Sequence, residues 1–287
     1  MTGMTGGPAT FRLQRMAMSG LRRVTFGDLI APLTAAAAAA APPTPQRKDQ
    51  AALSAEERGR FLNGIELLNQ RGIFGQLVSI HSDMGHTMHN MGPGDPTSPL
   101  GQQRFLPWHR VFLSQLEQQL QGFYPEVTIP YWDWSKSSEH AIPDWLRHFS
   151  LTVDVQVPLA MDVVVMPLTV SVSRAPLSGN VLAQRVSNLN AVTQLTNFTD
   201  FATSLENIHN GVHDWVGGTM GLLETAAADP IFWMHHANID RIWWQWQQSA
   251  QGTGKNPNLA DADAIMDPWR YNESQTRDIA NFNYTYA

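Results

Sequence analysis

The chain has 287 residues, 43% of them hydrophobic, enough to bury one sizeable core. It has no cysteine, which excludes disulfides, thiolate metal sites and cysteine nucleophiles. A formal charge of -6 leaves no basic footprint for nucleic acid. No stretch approaches the roughly 18 apolar residues that cross a bilayer, so neither nucleic acid nor membrane is an expected partner.

In chain order, residues 1–45 differ from the rest. They are Gly/Thr-rich, pass through Arg22-Arg23 and Phe26, and run into the alanines Ala35 to Ala41, closed by Pro42-Pro43. One reading is a degenerate twin-arginine export signal; the other is a flexible extension, since Asp28 and Pro32 interrupt the apolar stretch. The compartment stays open between export and cytoplasm. Residues 46–287 read as one catalytic domain.

Within that domain, Ser54 and Glu57 form a capping box, Phe61, Leu62, Ile65 and Leu68 one apolar stripe, and Gly72 a stop. A second helix is expected to carry Phe74, Leu77, His81 and Met84 on one face. Residues 90–103 read as a Gly/Pro-rich loop. A third helix is expected after Pro107, with His109 sharing a face with Phe112, Leu113, Leu116 and Leu120. Residues 127–134 and 151–173, β-branched with prolines at 158 and 167, read as short strands and loops. A fourth helix spans about 199–216. The fifth opens at Asp229-Pro230, an N-cap followed by proline at the first helical position, and runs to about Ser249. The expected class is mainly α: a helical bundle with a few short strands and long loops, its histidines projecting inward. The ten tryptophans read as core filling.

Six of the ten histidines make two groups of three, drawn from His81, His86, His89 and His109 and from His209, His213, His235 and His236. Neutral imidazole suits copper, zinc, iron and nickel, so two such trios without a thiol describe a metal pair. His209 and His213 stand four apart and grip one metal from a single helix face. Zinc metalloproteases use that spacing with glutamate in second place; here the position holds Asn210, and the hydrolase reading loses its base. Glu206 lies four before Asn210 on the same helix, so the two side chains are placed to hold one water beside the metals. The alternative is a solvated glutamate on an amphipathic helix.

Pro107-Trp108-His109-Arg110, His209-Asn210-x-x-His213-x-Trp215-Val216-Gly217-Gly218, and Asp229-Pro230-x-Phe232-x-x-His235-His236-Ala237-Asn238-x-Asp240-Arg241 resemble the tyrosinase family of coupled dicopper proteins, with its catechol oxidases and molluscan hemocyanins. Arg47-Lys48-Asp49-Gln50 is similar to the opening of the bacterial members, and Tyr284-Thr285-Tyr286 to the tyrosine motif that ends the family's catalytic domain. The resemblance implies two copper ions with O2 as co-substrate, a small phenolic substrate, and a copper chaperone as partner. It assigns the first copper to His81, a second histidine and His109, and the second to His209, His213 and His236, with His235 a neighbour. Bacterial members place the middle ligand of the first copper where this chain has Leu100, which leaves His89 or His86; His89 is the better placed, opening the loop after the helix of His81. Glu206 and Asn210 map onto the pair that orients the water taking the phenol proton, and Leu223 onto the substrate gate. Asp214 stands where many bacterial members carry a basic residue, and Asp240 reads as an acceptor fixing an imidazole. With no cysteine for the thioether some relatives use, the middle histidine is expected to be held by packing alone. His140 and His148 read as surface or structural. The implied activity is hydroxylation of monophenols and oxidation of o-diphenols to o-quinones. Alternatives are a catechol or o-aminophenol oxidase without monophenolase activity, or a hemocyanin-like O2 carrier. Against the carrier stands a sequence that stops at Tyr286-Ala287, with no domain to roof the site.

Overall fold

A computed structural model describes residues 44–159 and 164–287. The twin-arginine and alanine-run readings lie outside them. After a short strand β1 (Gln46–Arg47), helix α1 (Ala55–Gln70) starts where the Ser54 hydroxyl accepts the Glu57 amide and the Glu57 carboxylate takes the Ser54 amide in return. Gly72, at φ 72°, ends α1 and at once caps α2 (Ile73–Ser82), a left-handed step that glycine takes without strain. Met84 falls beyond α2, in the 3₁₀ turn Met84–His86.

Helix α3 (Ser98–Gln121) corrects the expected boundary. It begins with Pro99 in its first turn, inside the stretch read as loop, and runs straight through Pro107. Proline lacks only one amide, and its ring is tolerated here by a helix otherwise buried along most of its length. Of residues 127–134 only Tyr131 pairs, bridging Asp49 in parallel, so that expected strand is reduced to a single bridge. After the short α4 (Asp144–Arg147) comes a hairpin larger than expected, β2 (Thr152–Leu159) antiparallel to β3 (Val164–Ser171), in register from Thr152↔Ser171 to Leu159↔Val164. Pro158 and Pro167 fit because a two-stranded ribbon is all edge. The hairpin packs on α2 at Gly75, where a Cβ would stand 2.2 Å from the Asp154 carbonyl oxygen.

Short helices α5 (Gly179–Val186) and α6 (Leu189–Val192) lead to α7 (Phe198–Val216), capped by Asn197. Helix α8 (Pro230–Gln248) is capped by Asp229, whose carboxylate accepts the Ile231 amide. A β4–β5 ribbon (Ile265–Met266, Tyr271–Asn272) and β6 (Thr285–Tyr286) complete the described chain. Helix α3 packs against both α7 and α8, and of the seven fully buried tryptophans five stand on these helices, as core filling requires. The class is mainly α, with few and short strands.

The two ends of the domain meet. β1 pairs in parallel with β6, and Arg47 drives its guanidinium inward, 3.6 Å from the centre of the Tyr284 ring and bidentate to Glu117 at 3.0 and 2.9 Å. Asp240 accepts from Arg47, Arg110, Tyr284 and Tyr286, at 3.1, 2.5, 2.5 and 2.5 Å. Burial pushes the Asp240 carboxyl up, but Arg110 and Arg47 outweigh it and hold it below the usual carboxylate range. Asp240 therefore fixes no imidazole, contrary to expectation; its lone pairs are taken by the clasp that closes the domain.

Candidate metal centre

Four helices and one loop deliver the histidines. α2 carries His81, α3 His109, α7 His209 and His213, and α8 His235 and His236; His89 stands on a bend after the 3₁₀ turn. Ring nitrogens of His81, His89 and His109 lie within 4.8 Å of one another, as do those of His209, His213 and His235. His236 belongs to the second gathering as well, its Nε2 3.0 Å from His209 Nε2. The two gatherings adjoin. The rings of His109 and His236 stack at 4.3 Å, and that of His89 faces His209 at 5.9 Å. His86 turns away, its Nδ1 bonded to Asp267 at 2.6 Å and its ring against Trp108. His140 and His148 join neither group.

Hydrogen bonds on the far side of each ring decide which nitrogen is free. His109 Nδ1 donates to the Phe105 carbonyl and His213 Nδ1 to the Met220 carbonyl, both at 2.8 Å. A carbonyl only accepts, so each Nε2, buried and without a partner, keeps its lone pair. His209 Nδ1 pairs with the Asn210 side-chain oxygen at 2.9 Å and His89 Nδ1 with Glu206 at 3.2 Å, leaving their Nε2 atoms facing inward. His235 is wired the other way. The Trp134 indole N–H donates to its Nδ1 at 2.9 Å, so neutral His235 carries its proton on Nε2 and has no lone pair left there. Closeness alone groups His235 with His209 and His213; donor chemistry separates it.

Burial, reinforced by neighbouring imidazoles, holds His81, His109, His209 and His236 well below the ordinary 6.5, and burial takes His213 to about 4. At neutral pH these rings are uncharged, the form that binds a metal. The converging donors are all imidazole nitrogens, a set that fits copper.

The rings open onto a cavity of about 270 Å³ walled by His81, His89, His209 and His213 together with Glu206, Asn210 and Leu223. Glu206 is buried, so it is no solvated surface glutamate. Its Oε1 accepts the Asn90 amide at 2.9 Å as well as His89, and its Oε2 has no partner. His89 is thus held by a hydrogen bond and not by packing alone; nothing in the spacing of Glu206 pointed to a loop more than a hundred residues away. Leu223 is half-buried in the cavity wall, and Asp214 stands exposed on its rim, 3.5 Å from Arg185. Gly101 on α3 passes so close to the His89 carbonyl that a Cβ would stand 1.8 Å from its oxygen.

Comparison with known proteins agrees with this centre. The family profile described as the common central domain of tyrosinase matches residues 71–164 and 169–249. The tyrosinase of Streptomyces antibioticus is 34% identical over 257 residues, 78% of this chain and 92% of that protein. Among solved structures, a functional unit of octopus hemocyanin superposes with a TM-score of 0.61 at 21% identity, covering 84% of this chain and 68% of that one. A mushroom tyrosinase gives 0.59 at 19% identity, covering 85% of this chain and 62% of that one. With a domain match over most of its length and bacterial tyrosinases at this level of identity, the chain belongs to the tyrosinase family.

Proposed function

We propose that this copper-dependent polyphenol oxidase, which takes monophenols and o-diphenols to o-quinones, holds one copper on His81, His89 and His109 and the other on His209, His213 and His236. The observation that carries the assignment is the direction of the lone pairs. The Nδ1 protons of His89, His109, His209 and His213 are turned outward to fixed acceptors, while His235 alone accepts on that side. Bound there, two copper ions supply the activation of O2 and the redox equivalents of the reaction.

The chain supplies the rest. The cavity is large enough for a phenol ring, and Leu223 forms part of the wall against which it lies. A phenol ionises near pKa 10, so at neutral pH its proton must be taken for the oxygen to serve as a ligand. Glu206 takes it, at the carboxyl oxygen that has no partner, through a water held also by the Asn210 amide four residues on. The buried ligands meet solvent at the cavity mouth, which favours delivery by a chaperone presenting the ion at that opening.

The test is to load the protein with copper and assay tyrosine and catechol under air. Two coppers per chain with turnover of both substrates are expected. Reversible O2 uptake without catechol turnover would instead make the protein a carrier. Glu206→Gln should depress monophenol hydroxylation far more than catechol oxidation; equal loss removes Glu206 from the proton step.

A further inference from the structure

Five of the six proposed ligands ride on helices, and their ring orientations follow from helix packing. His89 does not. It sits on a bend between Thr87, at φ 49°, and a glycine-rich stretch, with no helical backbone to fix it. What holds it comes from elsewhere in the fold. The buried carboxyl of Glu206, on α7, uses one oxygen to accept both the His89 ring Nδ1 at 3.2 Å and the amide of the next residue, Asn90, at 2.9 Å. One bond sets the rotation and tautomer of the ring; the other pins the backbone that carries it. Helix α7 also bears His209 and His213.

From this geometry we infer that Glu206 is the positioning residue for the loop ligand of the first copper. It ties that trio's assembly to the helix that builds the second. The inference rests on the ligand assignment proposed above, and it is separate from proton transfer, which uses the other carboxyl oxygen. The consequence is asymmetric. Removing the carboxyl frees His89, whereas His81, His109 and His236 keep their helices and His209 and His213 keep their own partners as well.

The two roles part under different substitutions. In Glu206→Gln the amide oxygen still accepts both N–H groups, so the lock survives while the base is lost. In Glu206→Ala both are lost. Loss of such an outer contact typically lowers metal affinity by 10- to 100-fold. The measurement is copper bound per chain under graded chelator competition, together with the Cu(II) EPR spectrum. Wild type and Glu206→Gln should retain two coppers as a coupled, EPR-silent pair. Glu206→Ala should hold one copper about 10- to 100-fold more weakly than wild type. It should pass through a one-copper form whose EPR signal matches that of His89→Ala and differs from that of His213→Ala. Two coppers of unchanged affinity in Glu206→Ala overturn the inference, as does equal weakening of both. If the alanine variant does not fold, Glu206→Gln still decides, because its loss of one copper would show that accepting the two N–H groups is not what Glu206 contributes. A wild-type protein that never takes up two coppers would sink the dicopper assignment itself and not this inference alone.

Discussion

Gly101→Ala places a methyl group where the loop of His89 already runs. The new Cβ would lie 1.8 Å from the His89 carbonyl oxygen, 2.4 Å from its carbon and 3.0 Å from the Asn90 nitrogen, where ordinary contact begins at 3.4 Å. The shortfall to the oxygen is 1.6 Å, and every atom struck is backbone, so no side-chain rotation relieves it. Either α3 or the loop must move. The helix is the more firmly packed of the two, and the loop yields. Overpacking of this kind costs about 1–3 kcal/mol or more, which for a domain of this size lowers the melting temperature by about 2–4 °C per kcal/mol. A displacement above 1 Å also carries His89 away from His81 and His109. Calorimetry of the metal-free protein and metal analysis after copper loading should therefore report a lower melting temperature and one copper per chain. An unchanged melting temperature with two coppers bound would refute the reasoning, because it would mean the loop has slack that the close approach denies.

The paired histidines give a sharper check on donor direction: His236→Ala should lose one copper, while His235→Ala keeps both, and the reverse result in metal analysis would mean the Trp134 bond does not set the tautomer. Asp240→Asn removes the charge that two buried arginines share, a loss of about 3–5 kcal/mol; urea unfolding should show it, and a midpoint near wild type would mean the tyrosine hydroxyls compensate. Acid should weaken the metal-free fold in a defined window. His213 sits at about 4 in the folded chain against 6.5 for the ordinary side chain, so between those values the unfolded state binds more protons. Stability is then full above that window and falls as pH drops from about 6.5 to about 4; unfolding curves whose midpoints stay constant across this range, or a His213→Ala variant with the same slope, would contradict the assignment.

Much of the centre was legible because its chemistry is local. Ser54 with Glu57, Asp229 with Pro230, and His209 with His213 are each read within one helical turn, and the structure forms all three arrangements. Two kinds of feature escape a local reading. A proline inside a helix is one: α3 begins at Ser98, with Pro99 in its first turn, and runs on through Pro107 because burial along its length outweighs one missing amide. The tautomer of His235 depends on Trp134, a hundred residues earlier, and Asp240 answers to Arg47 and to two tyrosines near the end of the chain. Periodicity places a side chain on a face but does not name its partner across the core.

The clasp between β1 and β6 joins the metal-bearing helices to both ends of the domain. Its two halves are 240 residues apart in sequence, and α3 and α8, which carry His109 and His236, are braced directly by Arg110 and Asp240, to whose other carboxyl oxygen Tyr284 and Tyr286 add two hydrogen bonds. Without the two tyrosines Asp240 would keep both arginines and lose two hydroxyl donors, so the charge stays paired while the brace thins. A change at the last strand is therefore felt at helices far from it in sequence, because the side chains that hold α3 to α8 end in the hydroxyls of Tyr284 and Tyr286.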